Sequence, residues 1–211
     1  MGVDWRERYE RAAARYAAGE TRELDERQLV QLANAAWAAG LSLLMAGERE
    51  EAAVWLRRSA ERYRESWDAG SATDAWGRPI GAIKALLIAG DCSRANQVQL
   101  SNNLLLAARW ALDVGAVEAE SPIGRYAGAL ALLVLGRDDE AAEVAATLGE
   151  GFPGDVARAL SAIAAADAHA CRDAVDSVRR SFDEREVFLE DVPVPDTALA
   201  LDALAARRGL R

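Results

Sequence analysis

The sequence predicts an all-α chain of antiparallel helix pairs, and three observations carry that prediction. Apolar residues recur at three- and four-residue spacing, as in Leu29, Leu32, Ala36, Ala39 and Leu43, with no two-residue alternation of the kind strands show. Hydrophobic residues make up 51% of the chain but aromatic residues only 6%, the difference coming largely from alanine, the best helix former and one that permits close helix–helix approach. Glycine and proline punctuate the chain into segments of roughly 12–20 residues, the ordinary span of globular helices.

Taken in order, the chain opens on Met1-Gly2-Val3-Asp4-Trp5-Arg6, charged from its fourth residue and without the apolar core of a signal peptide, so no secretion is implied. Gly2 does not read as a myristoylation site, because Arg6 stands where Ser or Thr is required. The periodic run from Leu29 ends at Gly47, and the next ends in the polar stretch from Asp68 to Asp74. Pro79 and Pro122 each sit where a helix should begin, since the first turn has no partner for the missing N–H. The helices they open are expected to end at Gly90 and Gly136, with Gly115 as a further break. Ala141, Val144 and Leu148 form another run before the loop from Gly149 to Gly154. Val192-Pro193-Val194-Pro195 should run extended, because proline disfavours helix at the residue before it. A last helix over 196–208 follows, capped by Asp196 or Thr197, with Leu199, Leu201, Leu204 and Leu210 as apolar surface and Arg207-Arg208 at its negative end.

Internal similarity gives these helices an order. Pro79-Ile80-Gly81 and Pro122-Ile123-Gly124 repeat, and the helix ends Leu43-Leu44-Met45-Ala46-Gly47, Leu87-Ile88-Ala89-Gly90 and Leu133-Val134-Leu135-Gly136 match in character. Gly47, Ala52, Leu56 and Ser59, preceded by Gly40, follow the spacing of turn glycine, small, large and small residue that resembles a degenerate tetratricopeptide repeat (TPR). Gly136 and Ala141 begin the pattern again, with Pro153 near its end; Gly90 and Ala95 begin it before Gln99 and Asn102 depart. A weak fourth unit has Ala174, Val178 and Ser181, with His169 in place of the glycine. The resemblance spans about 29–185 within a single domain, 1–211, and implies helix pairs stacked as a TPR-like right-handed superhelix (α-solenoid). Helix 196–208 would cap its last apolar face.

Composition narrows the function classes. A net charge of −9 and a pI near 4.8 argue against nucleic acid, whose binding draws on clustered cations. No apolar run approaches the roughly 20 residues that span a bilayer, so no membrane is expected. Cys92 and Cys171 lie far apart without metal or redox spacing, which suits a reducing compartment and makes the cytoplasm the expected location. Lys84 is the one lysine among 25 basic residues, a skew attributed to codon composition.

No catalytic pattern holds. Gly149-Glu150-Gly151-Phe152-Pro153-Gly154 fits GxGxxG but follows a helix, and Pro153 lacks an N–H for a phosphate. Lys84 follows no glycine-rich loop, and the lone His169 leaves little for a Ser–His arrangement. Asp167, His169, Cys171 and Asp173 gather metal-ligand types, but on one helix His169 and Cys171 point apart, and a helix junction with a free thiol is the better reading. Asp138-Asp139-Glu140 with Glu143 reads as first-turn carboxylates offsetting the helix dipole. The chain is therefore read as no enzyme, with neither cofactor nor metal.

Two places stand out for binding. Residues from Ser93 to Asn103, Asn102 among them, concentrate amides that either face water or hydrogen-bond a ligand. The resemblance also implies that the first helix of each pair lines a concave surface, placing Asn34, Trp37, Leu41, Lys84, Tyr126 and Leu130 along it, with Arg125 and Arg78 near its rim. Trp37 and Tyr126 would equally serve as core. The expected function is a non-catalytic interaction module binding a peptide or partner protein through that face; the alternative is a small-molecule sensor with a pocket between repeats.

Overall fold

The computed structural model describes residues 3–20, 23–70 and 73–210. It is all-helical, with 75% of residues in helix and no strand among those described. The ten helices are α1 (Trp5–Gly19), α2 (Glu26–Met45), α3 (Arg49–Ala69), α4 (Gly77–Cys92), α5 (Gln97–Asp113), α6 (Pro122–Val134), α7 (Asp138–Ala146), α8 (Gly154–Ala164), α9 (Ala168–Asp183) and α10 (Asp196–Arg207), with a 3-10 turn at Leu189–Asp191. None of them is long and apolar enough to cross a membrane. They form two compact units, Met1–Ser101 with Glu186–Val194, and Asn102–Arg185 with Pro195–Arg211.

In the first unit each of α1 to α4 packs on its neighbour in the chain. Asp25 starts α2 with a full capping box, accepting from Gln28 N–H at 2.8 Å while its own N–H donates to Gln28 Oε1 at 3.0 Å. The seam between α2 and α3 closes at Gly40, where a Cβ would lie 2.7 Å from Leu56 Cγ and 3.2 Å from the Ala52 carbonyl oxygen. Ser59 Oγ donates to the Ala33 carbonyl at 2.9 Å along the same buried seam. Beside this seam α3 presents Trp55, met edge-on by Tyr16 and Tyr9 of α1 at 5.3 and 6.0 Å between ring centroids.

The second unit packs α6 to α10 in the same sequential way. Three hairpins, one in the first unit and two in the second, share one turn. Gly47, Gly136 and Ala166 take left-handed φ values of 87°, 75° and 54°. The next N–H then reaches back five residues, from Glu48 to Leu43, Arg137 to Leu132 and Asp167 to Ala162, at 2.9–3.0 Å. Five positions after each turn residue a small side chain is buried, Ala52, Ala141 and Cys171; nine positions after, Leu56, Ala145 and Val175 are buried. The fourth sequence copy is thus out of register: its turn residue is the left-handed Ala166, three positions before His169, where the glycine was sought.

Other boundaries differ as well. Helix α4 runs through Gly90 to Cys92, because the Gln97 side chain donates to the Gly90 carbonyl at 2.7 Å and no left-handed residue is needed there. Helix α1 precedes the first periodic run read from the sequence. Its arginines and glutamates dilute the apolar stripe to a few residues, of which Ala12 and Tyr16 are buried. Pro122 is the first residue of α6, with Ser121 as its cap, whereas Pro79 is the third residue of α4. Residues Val192 to Pro195 lie outside any helix, and α10 follows at Asp196 with Leu201 and Leu204 fully buried. Its cap differs from expectation: Asp196 Oδ1 accepts from the adjacent Thr197, the N–H at 2.7 Å and the hydroxyl at 3.4 Å, and the cap position itself is Pro195.

Candidate functional site

The residues singled out from the sequence divide between the two units. Asn34, Trp37 and Lys84 belong to the first, and Asn102, Arg125 and Tyr126 to the second. In the first, α2 and α4 bring Trp37 and Lys84 together, with Lys84 Nζ 5.6 Å from the Trp37 ring centroid. Asn34, one turn before Trp37, accepts a hydrogen bond from Tyr63 Oη at 2.7 Å. Tyr63 lies flat against α4, where a Cβ on Gly81 would meet its ring at 2.6 Å. Trp37 and Lys84 are both buried, so the pair packs as a desolvated cation–π contact.

In the second unit Tyr126 is buried with its ring 5.1 Å from Phe152. Its hydroxyl has no hydrogen-bond partner among the described residues, and burial first, then the negative charge of Asp196, pushes its ionisation well above the usual tyrosine range. Arg125 is half-buried with Nε unpartnered. Gln97, Gln99 and Asn102 are exposed on α5, as is Asn96 just before it, so most of the amide cluster faces water. It begins with a part-buried contact: Ser93 Oγ and Arg94 N–H donate to Glu50 at 2.6 and 3.1 Å and hold its carboxyl below the usual range.

The metal-ligand types at the start of α9 separate in space. Cys171 is buried, while His169 is exposed 3.5 Å from Asp173. Of the first-turn carboxylates on α7, Glu140 pairs with Arg137 and Asp138 with Arg208, a structural use of each charge. Burial pushes the Cys92 thiol up to about 11 and raises that of Cys171 as well. Native thiols are therefore expected to react with Ellman's reagent at pH 8 only as fast as the chain opens, and rapid labelling of Cys92 without denaturant would contradict its burial. The unfolded thiol ionises near 9, so the unfolded state sheds that proton first. Stability should then decline as pH rises from about 9 to 11, by an amount Cys92→Ala should reduce.

A groove that sequence reading missed lies on the first unit. Arg8, Arg11 and Arg15 recur at i, i+3 and i+7 and so share one edge of α1, turned away from Trp55. Along that edge lies the segment Glu186–Val194. Arg8 donates to the Asp191 carbonyl, and Arg15 Nη1 sits 2.5 Å from Glu190 Oε2. Two cavities open beside this ion pair. One, of about 770 Å³, is lined by Arg8, Arg11, Ala14, Ala38, Phe188 and Pro193; the other, of about 550 Å³, by Gly19, Leu24, Gln28, Gln31, Leu32 and Ala35. The arginine spacing was visible in the sequence; its partner, 183 positions away along the chain, was not. No protein-family model, curated protein or solved structure matches the chain.

Proposed function

We propose that the chain is a non-catalytic interaction module, a TPR-like stack of helix pairs that binds an extended segment of a partner protein. The observation that carries this reading is the groove between α1 and α2, which already seats the turn Leu189–Asp191 of the chain itself through a main-chain carbonyl and a carboxylate. Stacked helix pairs leave such grooves because each pair buries one face on its neighbour and exposes another. Trp37 and Lys84 then serve as the frame behind the docking surface, since their side chains are buried. Affinity capture from the native source under mild conditions tests the reading. The wild-type chain should retain a stoichiometric partner that the variant Arg8→Glu/Arg11→Glu/Arg15→Glu loses, and recovery of bait alone from both would overturn it.

A second reading, a small-molecule sensor, draws on a cavity of about 460 Å³ in the second unit, lined by Asp155, Arg158, Ser177, Ser181, Arg185 and Thr197. Asp155 is buried there and accepts from Ser181 Oγ at 2.7 Å. That carboxylate opposes the charge of the two arginines, so the cavity favours no single ligand charge and the groove remains the better-supported site.

A further inference from the structure

We infer that the α1–α2 groove recognises an acidic segment of a partner protein carrying apolar residues, and that the strap Glu186–Val194 is an internal stand-in which the partner displaces. The inference rests on the interaction-module reading and adds to it the chemistry of the partner and the device that controls access.

Charge gives the first argument. The chain carries a net charge of −9, yet this edge of α1 presents Arg8, Arg11 and Arg15 together, a local reversal of the overall sign. The strap facing it contains Glu186, Glu190 and Asp191 and no basic residue. Opposite charges set the register of an extended ligand and speed its encounter more than they raise its final affinity.

The second argument is that the strap is anchored unevenly. Val192 and Val194 are buried, and burial of a valine side chain stabilises by roughly 1.5–3 kcal/mol. The preceding half is held far more lightly: Val187 is 85% exposed and Leu189 52% exposed. The Arg15–Glu190 pair is partly screened, because more than half of the Arg15 side chain is in water although Glu190 is mostly covered. The acidic half of the strap can therefore leave without costing the buried valines. The cavities on either side of the ion pair, about 770 and 550 Å³, show that the strap fills only part of the space an extended ligand would use.

The third argument is competition. A tethered segment sees its groove at an effective concentration on the order of millimolar, so an external peptide of similar chemistry binds with an apparent affinity reduced by that occupancy. Loosening the strap should therefore tighten binding of a free peptide, whereas altering the groove should abolish it.

The test uses the full chain and a fluorescent synthetic peptide with the chain's own sequence from Glu184 to Pro195 as probe. Its binding is read by anisotropy at low and high salt. The variant Glu190→Arg, which turns the strap's ion pair with Arg15 into a repulsion, should bind the probe at least tenfold more tightly than wild type. Adding Arg8→Gln and Arg15→Gln to that variant should abolish binding, and raising the salt to about 0.5 M should weaken it, since exposed charges are screened. Exchange of the amides of residues 186–191 in the wild-type chain should rise when the probe is added. The exposed Arg11→Glu supplies a second variant, whose weaker probe binding with an unchanged helical spectrum separates a groove effect from misfolding. Probe binding that ignores both Glu190→Arg and the groove substitutions, or that is absent from the strap-loosened chain at millimolar peptide, overturns the inference. Partner capture that persists alongside such a negative result keeps the interaction module and removes this occupant. Probe binding with no captured partner removes the module and keeps the groove's preference for acidic segments.

Discussion

Ala52→Trp and Ala141→Trp are each expected to lower the unfolding free energy by about 1–3 kcal/mol or more, the range seen when large groups are forced into closed seams. Both alanines are buried at the same step after a left-handed turn residue, where the second helix of a hairpin closes on the first. Ala52 has the tighter setting, because its carbonyl oxygen already lies 3.2 Å from where a Gly40 Cβ would be, with Leu56 filling the rest of the seam. An indole there must push α3 off α2 or expel Leu56, which is fully buried. Equilibrium denaturation of the two single variants reads the effect. Midpoints equal to wild type in both would show that these positions do not sit in helix–helix seams.

Removing residues 195–211 should destabilise the second unit by more than about 3 kcal/mol and expose an apolar surface that promotes association. The estimate follows from Leu201 and Leu204 alone, each fully buried and each contributing roughly 1.5–3 kcal/mol by burial. Ala198, Ala200, Ala203 and Ala205 are buried with them against α8 and α9. Two further losses add to the cost. Arg208 donates to the Leu133 carbonyl at 2.9 Å and pairs with Asp138, tying the end of α10 to the turn between α6 and α7. Arg179 of α9 would lose its pair with Asp202. Sedimentation and thermal melting of the truncated chain test this; a monomer as stable as the full chain would show that α10 is dispensable to the unit.

How far each feature could be read ahead follows its sequence range. Helix α2 was legible because Leu29, Leu32, Ala36, Ala39 and Leu43 keep helical spacing, although the structure buries the unbroken run from Ala35 to Leu43 as well. The turns at Gly47 and Gly136 were legible because a left-handed backbone favours glycine. The turn at Ala166 was not, because the same conformation is held there by hydrogen bonds from Ala166 and Asp167 to Ile163 and Ala162, which any residue's backbone can make. Burial of Trp37 and Tyr126, one of two readings open from the residues alone, is the one the structure shows.

By itself, then, the sequence determined the helical class, the positions of most helices and the small residues along the hairpin seams, since all of these depend on local spacing and side-chain size. Tertiary structure alone decided that the chain divides into two compact units, that Lys84 packs on Trp37, and that an acidic strap lies along the arginine edge of α1. Each of these joins residues far apart in the chain through shape and charge. Such pairings leave no periodic trace in the sequence, because only the folded path brings their members within reach.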